Sequence, residues 1–227
     1  MSRVSLLHQI GLFSGLSDSE LEVVAGRLGK RTFGRGVIIF HKGSPGEILY
    51  IIESGKVRIF VLSESGQEMS VRICGTGEVF GELSMLDGLP RSAGAVAVEE
   101  TLVLTLQRED FLELFDIYPG LAPGIIATLT ARVRYTTQYA ENLAFLAVDG
   151  RVASRLLELV EQYGVQTPDG IEIALQLTQS DLASLVGATR ERVNKVLGAF
   201  RDQGLIELDG QEIIVRDRRG LKRHISY

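Results

Sequence analysis

The chain carries a single cysteine, Cys74, among its 227 residues. One thiol cannot close an internal disulfide, complete a zinc site or hold an iron–sulfur cluster. Long apolar runs are missing as well: nothing approaches the roughly 18 consecutive apolar residues of a membrane span. The N-terminal Met1-Ser2-Arg3-Val4-Ser5-Leu6-Leu7-His8 lacks the apolar core of a secretory signal. A soluble cytoplasmic protein with no membrane partner is therefore expected. Catalytic signatures are missing too. No phosphate-loop spacing surrounds Gly55-Lys56, no H-E-x-x-H occurs, and His8, His41 and His224 are dispersed. Positive charge is not in excess: 24 Lys+Arg stand against 29 Asp+Glu, net −5, which argues mildly against a chain coated in basic charge for nucleic acid.

The average hides an asymmetry. Residues 151–227 hold 11 basic and 11 acidic side chains, so the first 150 residues carry the whole net charge of −5. Basic residues bunch at Arg190, Arg192 and Lys195, and again at Arg216, Arg218, Arg219, Lys222 and Arg223. Such clusters suit phosphates, and they equally suit solvated faces.

Eleven glycines fall between Gly34 and Gly94, and short β-rich runs lie among them. These are Val37–Phe40, Ile48–Ile52, Lys56–Leu62 and Met69–Ile73, with Ala95–Val98 and Leu102–Leu106 following. Short strands at near-even spacing predict an all-β barrel or jelly roll, with Glu64-Ser65-Gly66 as a hairpin turn. A helix is predicted after Pro123-Gly124, from about Ile125 to Val148. Its residues Ile126, Leu129, Val133, Thr136, Ala140, Leu143 and Ala147 alternate in spacings of three and four, an a/d seam with one polar member. Such a helix needs a partner: an identical helix, which makes a homodimer, or the protein's own barrel. Asp149-Gly150 is a turn signal and an expected hinge.

Two segments carry chemistry. In the first, Thr178 caps a short helix with Asp181 three residues on, Gly187 permits a tight turn, and Thr189 caps a second helix. Leu182, Leu185 and Val186 stripe one helix, and Val193, Val196, Leu197 and Phe200 the other. The remaining face presents Arg190, Glu191, Asn194 and Lys195, residue types that read base edges. This is a helix-turn-helix signature. The hairpin Leu205–Leu208, Asp209-Gly210, Glu212–Val215 follows as a wing. In the second segment, Phe80-Gly81-Glu82-Leu83 precedes Arg91-Ser92-Ala93. Gly81 allows backbone amides close to an anion, a short helix over 82–86 opens towards it, and Arg91 supplies a fork for a phosphate. Glu82 would repel a phosphate but accept from a ribose hydroxyl, so the combination points to a nucleotide. A plain Glu82–Arg91 ion pair is the competing reading.

These segments, in this order, resemble the cyclic AMP receptor protein family of bacterial transcription regulators, which includes the catabolite activator and the fumarate–nitrate regulator. The Phe-Gly-Glu-Leu…Arg-Ser-Ala run resembles that family's phosphate-binding cassette. Asn142–Arg151 resembles its helix-to-hinge sequence, and Arg190-Glu191-x-Val193-x-Lys195 its recognition helix, with Lys195 where an arginine is usual. The resemblance implies an α+β chain: a β jelly-roll cyclic-nucleotide-binding domain (1–120), a dimerisation helix (121–148) and a winged helix-turn-helix DNA-binding domain (149–227). It implies cyclic AMP as effector, held by Gly81, Glu82, Leu83, Arg91, Ser92, Ala93 and Arg132, with Thr136 and Thr137 at the adenine, the latter from the other subunit. It implies a homodimer on double-stranded DNA with TGTGA-like half-sites, contacted through Thr178, Thr189, Arg190, Glu191, Asn194 and Lys195, and RNA polymerase as a further partner. No catalytic activity and no metal are expected. Cyclic GMP and cyclic-di-GMP stay open as effectors because Thr136-Thr137 is tolerant. A haem sensor using His41 and Cys74, and an enzyme's regulatory subunit, are the rival classes.

Overall fold

The computed structural model describes residues 3–64, 66–175, 177–210 and 212–225. The chain divides into two units, residues 1–62 with 71–135 and residues 63–70 with 136–227. The first begins with helices α1 (Arg3–Leu7) and α2 (Asp18–Gly26). Strands β1 (Gly29–Phe33), β2 (Ile38–Phe40), β3 (Ile48–Ser54), β4 (Val57–Leu62), β5 (Glu68–Cys74) and β6 (Val79–Phe80) follow. Helix α3 (Glu82–Asp87) precedes β7 (Gly94–Ala97), β8 (Thr101–Gln107), α4 (Arg108–Ile117) and the long α5 (Leu121–Phe145), of which residues 121–135 belong to the first unit and 136–145 to the second.

Two antiparallel sheets, in the orders β1-β8-β3-β6 and β2-β7-β4-β5, make the β-roll. Side-chain alternation decides what each face buries. Tyr50 and Ile52 of β3 point between the sheets, into a core with Val57, Cys74, Phe80, Ala95 and Val103. Leu49 and Ile51 point the other way, onto Leu21, Val24, Phe111, Leu114, Leu121 and Ile125 of the helices. A strand apolar on both faces is thus explained by cover on both. Of the turn expected at Glu64-Ser65-Gly66, Ser65 lies outside the described residues. Its flanks close through Ser63 and Gln67, the Gln67 carbonyl accepting from the Ser63 amide at 2.9 Å.

α5 starts at Leu121, four residues before the expected Ile125, so Pro123 and Gly124 lie inside its first turn. Proline is tolerated there because the first-turn amides have no intrahelical acceptor. Gly124 is required by closeness, since a Cβ there would lie 2.3 Å from the Leu12 carbonyl oxygen.

The second unit continues from α5 into α6 (Val148–Tyr163), β9 (Gly164–Thr167), β10 (Gly170–Ile173), α7 (Gln179–Val186), α8 (Arg190–Asp202), β11 (Ile206–Asp209), β12 (Glu212–Val215) and α9 (Arg218–Arg223). The expected wing hairpin is β11–β12, and it joins β10 and β9 in one four-stranded sheet. The break between α5 and α6 corrects the hinge expected at Asp149-Gly150. It falls at Leu146-Ala147: the Asn142 carbonyl accepts from Leu146 to end α5, and the Ala147 carbonyl accepts from Arg151 to open α6. Asp149 and Gly150 are helical. Gly150 serves close packing instead, because a Cβ there would lie 2.8 Å from the His224 carbonyl oxygen.

Candidate ligand pocket and DNA-reading helix

In the first unit, β6 ends at Phe80 and Gly81 turns the chain with φ +81°, a conformation that L side chains rarely adopt. α3 then begins at Glu82. A Cβ on Gly81 would also lie 2.5 Å from Nη1 of Arg91. Gly81, Glu82, Leu83, Arg91, Ser92, Ala93 and Arg132 line one cavity, together with Phe40, Ile59, Phe80 and Ser84. The first seven are among the nine residues singled out in the sequence for the ligand; Thr136 and Thr137 do not line this cavity. Of the other four, Phe40, Ile59 and Phe80 are apolar strand residues, which look like ordinary core in the sequence, and Ser84 lies on α3.

Arg91 is buried at 4% exposure. Its Nη1 donates to the Gly81 carbonyl and its Nη2 to the Ile48 carbonyl, both at 2.7 Å. Its guanidinium carbon lies 4.3 Å from the Phe40 ring centre, within cation–π range. Nε is buried and has no hydrogen-bond partner among the described residues. Burial pulls the Arg91 pKa below its ordinary value, opposed by Tyr50 and Glu82. A buried guanidinium with a donor left over can donate a charge-assisted hydrogen bond to an anion.

Glu82, also buried, does not pair with Arg91. Its Oε1 lies 3.1 Å from Nη2 of Arg132, on α5. The competing reading of a simple Glu82–Arg91 ion pair is thereby set aside. Thr136 and Thr137 follow Arg132 on α5 and are exposed, as members of the second unit. Cys74, a candidate haem ligand by sequence, is fully buried, and Nε and Nη2 of Arg72 lie 3.0 and 2.7 Å from its sulfur. No cluster of metal-ligating side chains occurs among the described residues.

In the second unit, Thr178 and Asp181 form a reciprocal capping box at the start of α7. Thr178 Oγ1 accepts from the Asp181 amide at 3.1 Å, and Asp181 Oδ2 accepts from the Thr178 amide at 2.9 Å. Gly187 ends α7 with φ +60°. Thr189 then caps α8 by accepting from the Arg192 amide at 3.3 Å. Both threonines singled out for DNA contact therefore have a capping task; the Thr178 hydroxyl also donates to Asp181 Oδ2 at 2.7 Å, whereas Thr189 Oγ1 only accepts. Arg190, Glu191 and Lys195 are exposed, while Asn194 is half-buried with its Oδ1 enclosed and unpartnered among the described residues. That differs from the fully presented side chain expected, because Asn194 follows Val193 towards the buried face of α8. Arg190 Nε donates to Gln179 Oε1 at 3.4 Å, which links the starts of the two helices.

No helix among the described residues is long and apolar enough to cross a membrane. Residues 30–118 match the cyclic nucleotide-binding domain family, and residues 150–224 the Crp-like helix-turn-helix domain family. A Mycobacterium tuberculosis protein named CRP-like cAMP-activated global transcriptional regulator is 35% identical, over 96% of this chain and 97% of its own length. The cyclic AMP receptor protein of Thermus thermophilus is 38% identical, over 91% of this chain and 92% of its own. Among solved structures, a Xanthomonas campestris regulator called c-di-GMP responsive superimposes with a TM-score of 0.80. It covers 88% of this chain and 100% of that one at 24% identity, which speaks to the fold alone. With a cyclic-nucleotide-binding β-roll, a long helix and a winged helix-turn-helix in one chain, the protein belongs to the CRP/FNR family of transcription regulators.

Proposed function

We propose that the chain is a cyclic-AMP-responsive, homodimeric regulator that binds palindromic double-stranded DNA with TGTGA-like half-sites. The observation that carries the effector is the buried Arg91 guanidinium with its unpartnered Nε, set beside the buried carboxylate of Glu82 in one cavity. A cyclic phosphate would meet Arg91 and Ser92, and a ribose hydroxyl would meet Glu82, which would have to share or release Arg132. Thr136 and Thr137 would serve the base. The names of the relatives from M. tuberculosis and T. thermophilus support cyclic AMP as the ligand.

The apolar seam of α5 supports the homodimer. Ile126 and Val133 are 63% and 65% exposed, two large apolar side chains of one helical stripe left open for a partner. In a dimer built on that seam, two copies of α8 would sit about 34 Å apart, matching successive major grooves. Arg190 and Lys195 would read guanines and Glu191 cytosine. Ligand binding would bias α5 and the Leu146-Ala147 break towards that spacing, a coupling typically of about 1–3 kcal/mol. RNA polymerase is the proposed partner downstream.

Fluorescence anisotropy with a TGTGA-N6-TCACA duplex at fixed salt, with and without cyclic AMP, tests this reading. Tighter binding with cyclic AMP, lost in Arg91→Ala, is the expected result. Binding that ignores cyclic AMP but responds to cyclic-di-GMP would replace the effector, and no binding in any condition would remove the DNA reading.

A further inference from the structure

The recognition helix and the capping residues leave the second basic cluster of the sequence without a task. The structure places it on and beside α9. Two of its members are neutralised: Arg216 pairs with Glu207, and Arg218 with Glu161, at 3.2 Å for the latter. Arg219, Lys222 and Arg223 are exposed and have no side-chain partner among the described residues. They stand three and four residues apart, so they share one face of α9, while Gly220 and Leu221 bury the other.

Helix-dipole compensation accounts for only part of this. Lys222 and Arg223 lie in the last turn, where positive charge is favourable, but Arg219 lies in the first turn, where it is not. Three cations on one exposed face, unpaired among the described residues, make a local positive patch that can meet an external anion.

The position of α9 says which anion. Its C-terminal end is tied to the first turn of α6: Nδ1 of His224 lies 3.4 Å from Asp149 Oδ2, and the His224 carbonyl packs on Gly150. The same turn of α6 is tied to the turn between α7 and the recognition helix, because Arg151 Nη1 donates to the carbonyl of Gly187, which caps the end of α7, at 3.2 Å. Phe200 of α8 also packs on the His224 ring, 4.8 Å between centres. The basic face of α9 is therefore fixed, through these side-chain packings, to the turn from which α8 enters a groove.

We propose that Arg219, Lys222 and Arg223 form a second contact surface of the DNA-binding unit, which grips the phosphate backbone of the bound duplex independently of its sequence. The proposal rests on the DNA-binding reading above. Neither the capping residues nor the base-reading face of α8 is part of this surface. Its contribution is affinity and register, since phosphate contacts position a protein without specifying bases.

The test is the triple variant Arg219→Gln, Lys222→Gln, Arg223→Gln, in the full chain with saturating cyclic AMP. Two duplexes are used, the TGTGA-N6-TCACA operator within about 30 base pairs and a scrambled duplex of equal length. Binding is measured from low to moderate salt, and thermal unfolding confirms that the variant is folded. The slope of log K against log salt should fall by about 0.9 for every phosphate that the variant no longer neutralises, up to about 5 for three phosphates in each half of a dimer. Affinity at low salt should fall about tenfold or more, by the same factor for both duplexes. Unchanged slope and affinity in a folded variant that binds would overturn the proposal and leave the DNA-binding reading intact. A weakening confined to the operator would also overturn it, because it would make the face a reader of bases. A wild-type chain that binds neither duplex would overturn both readings at once.

Discussion

Arg91 holds two jobs at one residue. Its two Nη atoms tie the Gly81 turn to β3, and its Nε is left over. Replacing it with lysine keeps the charge but gives up the planar fork that reaches both carbonyls. Arg91→Lys should therefore weaken cyclic AMP binding by about 1.5–3 kcal/mol, roughly ten- to hundredfold, as read by calorimetric titration. It should also lower the unfolding temperature without ligand. A drop in ligand affinity with unchanged stability would mean that the carbonyl hydrogen bonds carry little of the pocket's rigidity. Cys74 makes a separate prediction. Burial pushes its thiol up to about 11, from about 9 for an exposed one, although Arg72 opposes the shift. The raised value means that the neutral thiol is favoured in the fold. Its stabilising effect is complete below pH 9 and is lost as pH rises from 9 through 11. The two-unit difference corresponds to about 3 kcal/mol. Urea midpoints across that range should fall less steeply in Cys74→Ala, and identical slopes would show that other groups govern alkaline unfolding. The sequence announced the cassette residues because a glycine, a carboxylate and an arginine at that spacing have few other uses. It could not announce Phe40 and Phe80 as pocket walls, since their alternation in β2 and β6 is that of any buried strand residue.

Among the elements, those with a strong period were legible. β3, β4, β5, β7 and β8 fall within one or two residues of the apolar runs that predicted them, and α7 and α8 begin at the threonines that cap them. β1 was not legible. Gly29-Lys30-Arg31-Thr32-Phe33 is exposed along most of its length, and only its pairing with β8 makes it a strand, so nothing apolar marks it. The α5–α6 break was misplaced for a related reason. Gly150 carries the stronger turn signal, but what requires it is the close His224 carbonyl, from a segment far along the chain. Gly150→Ala should accordingly destabilise the second unit by about 1–3 kcal/mol through overpacking, measured by urea unfolding. A stabilised variant, the outcome for an unconstrained helical glycine, would show that the His224 segment moves aside at little cost. The seam of α5 makes the complementary prediction. Val133→Asp puts a charge at the centre of the expected dimer interface and removes apolar burial of about 1.5–3 kcal/mol per chain. It should shift the chain from dimer to monomer in sedimentation at micromolar concentration while leaving the far-UV spectrum unchanged. A variant that stays dimeric would place the interface elsewhere.

At the scale of the whole molecule, charge and core are divided unevenly. The net −5 belongs to the first 150 residues, and the remainder is neutral. DNA affinity therefore has to come from local clusters rather than from overall attraction, and it should be steeply salt-dependent. Each unit also has its own apolar core: Leu49, Ile51, Leu104 and Phe111 lie in one, and Leu156, Leu185, Val193 and Phe200 in the other. Separate cores allow separate unfolding transitions, and the pocket lined by Arg91 and Glu82 lies wholly among residues of the first unit. A ligand that binds only the folded pocket stabilises it by about 2.7 kcal/mol at a hundredfold excess over its dissociation constant. Scanning calorimetry with cyclic AMP should therefore raise the transition of the first unit by several degrees. Operator DNA should raise that of the second. If each ligand also shifts the other's transition, the two sites are coupled, and by linkage the reciprocal shifts in binding free energy must be equal. If cyclic AMP raises the first transition while operator affinity is unchanged by it, the chain binds the nucleotide without using it as a switch. In that case the Leu146-Ala147 break is a fixed bend rather than the moving part.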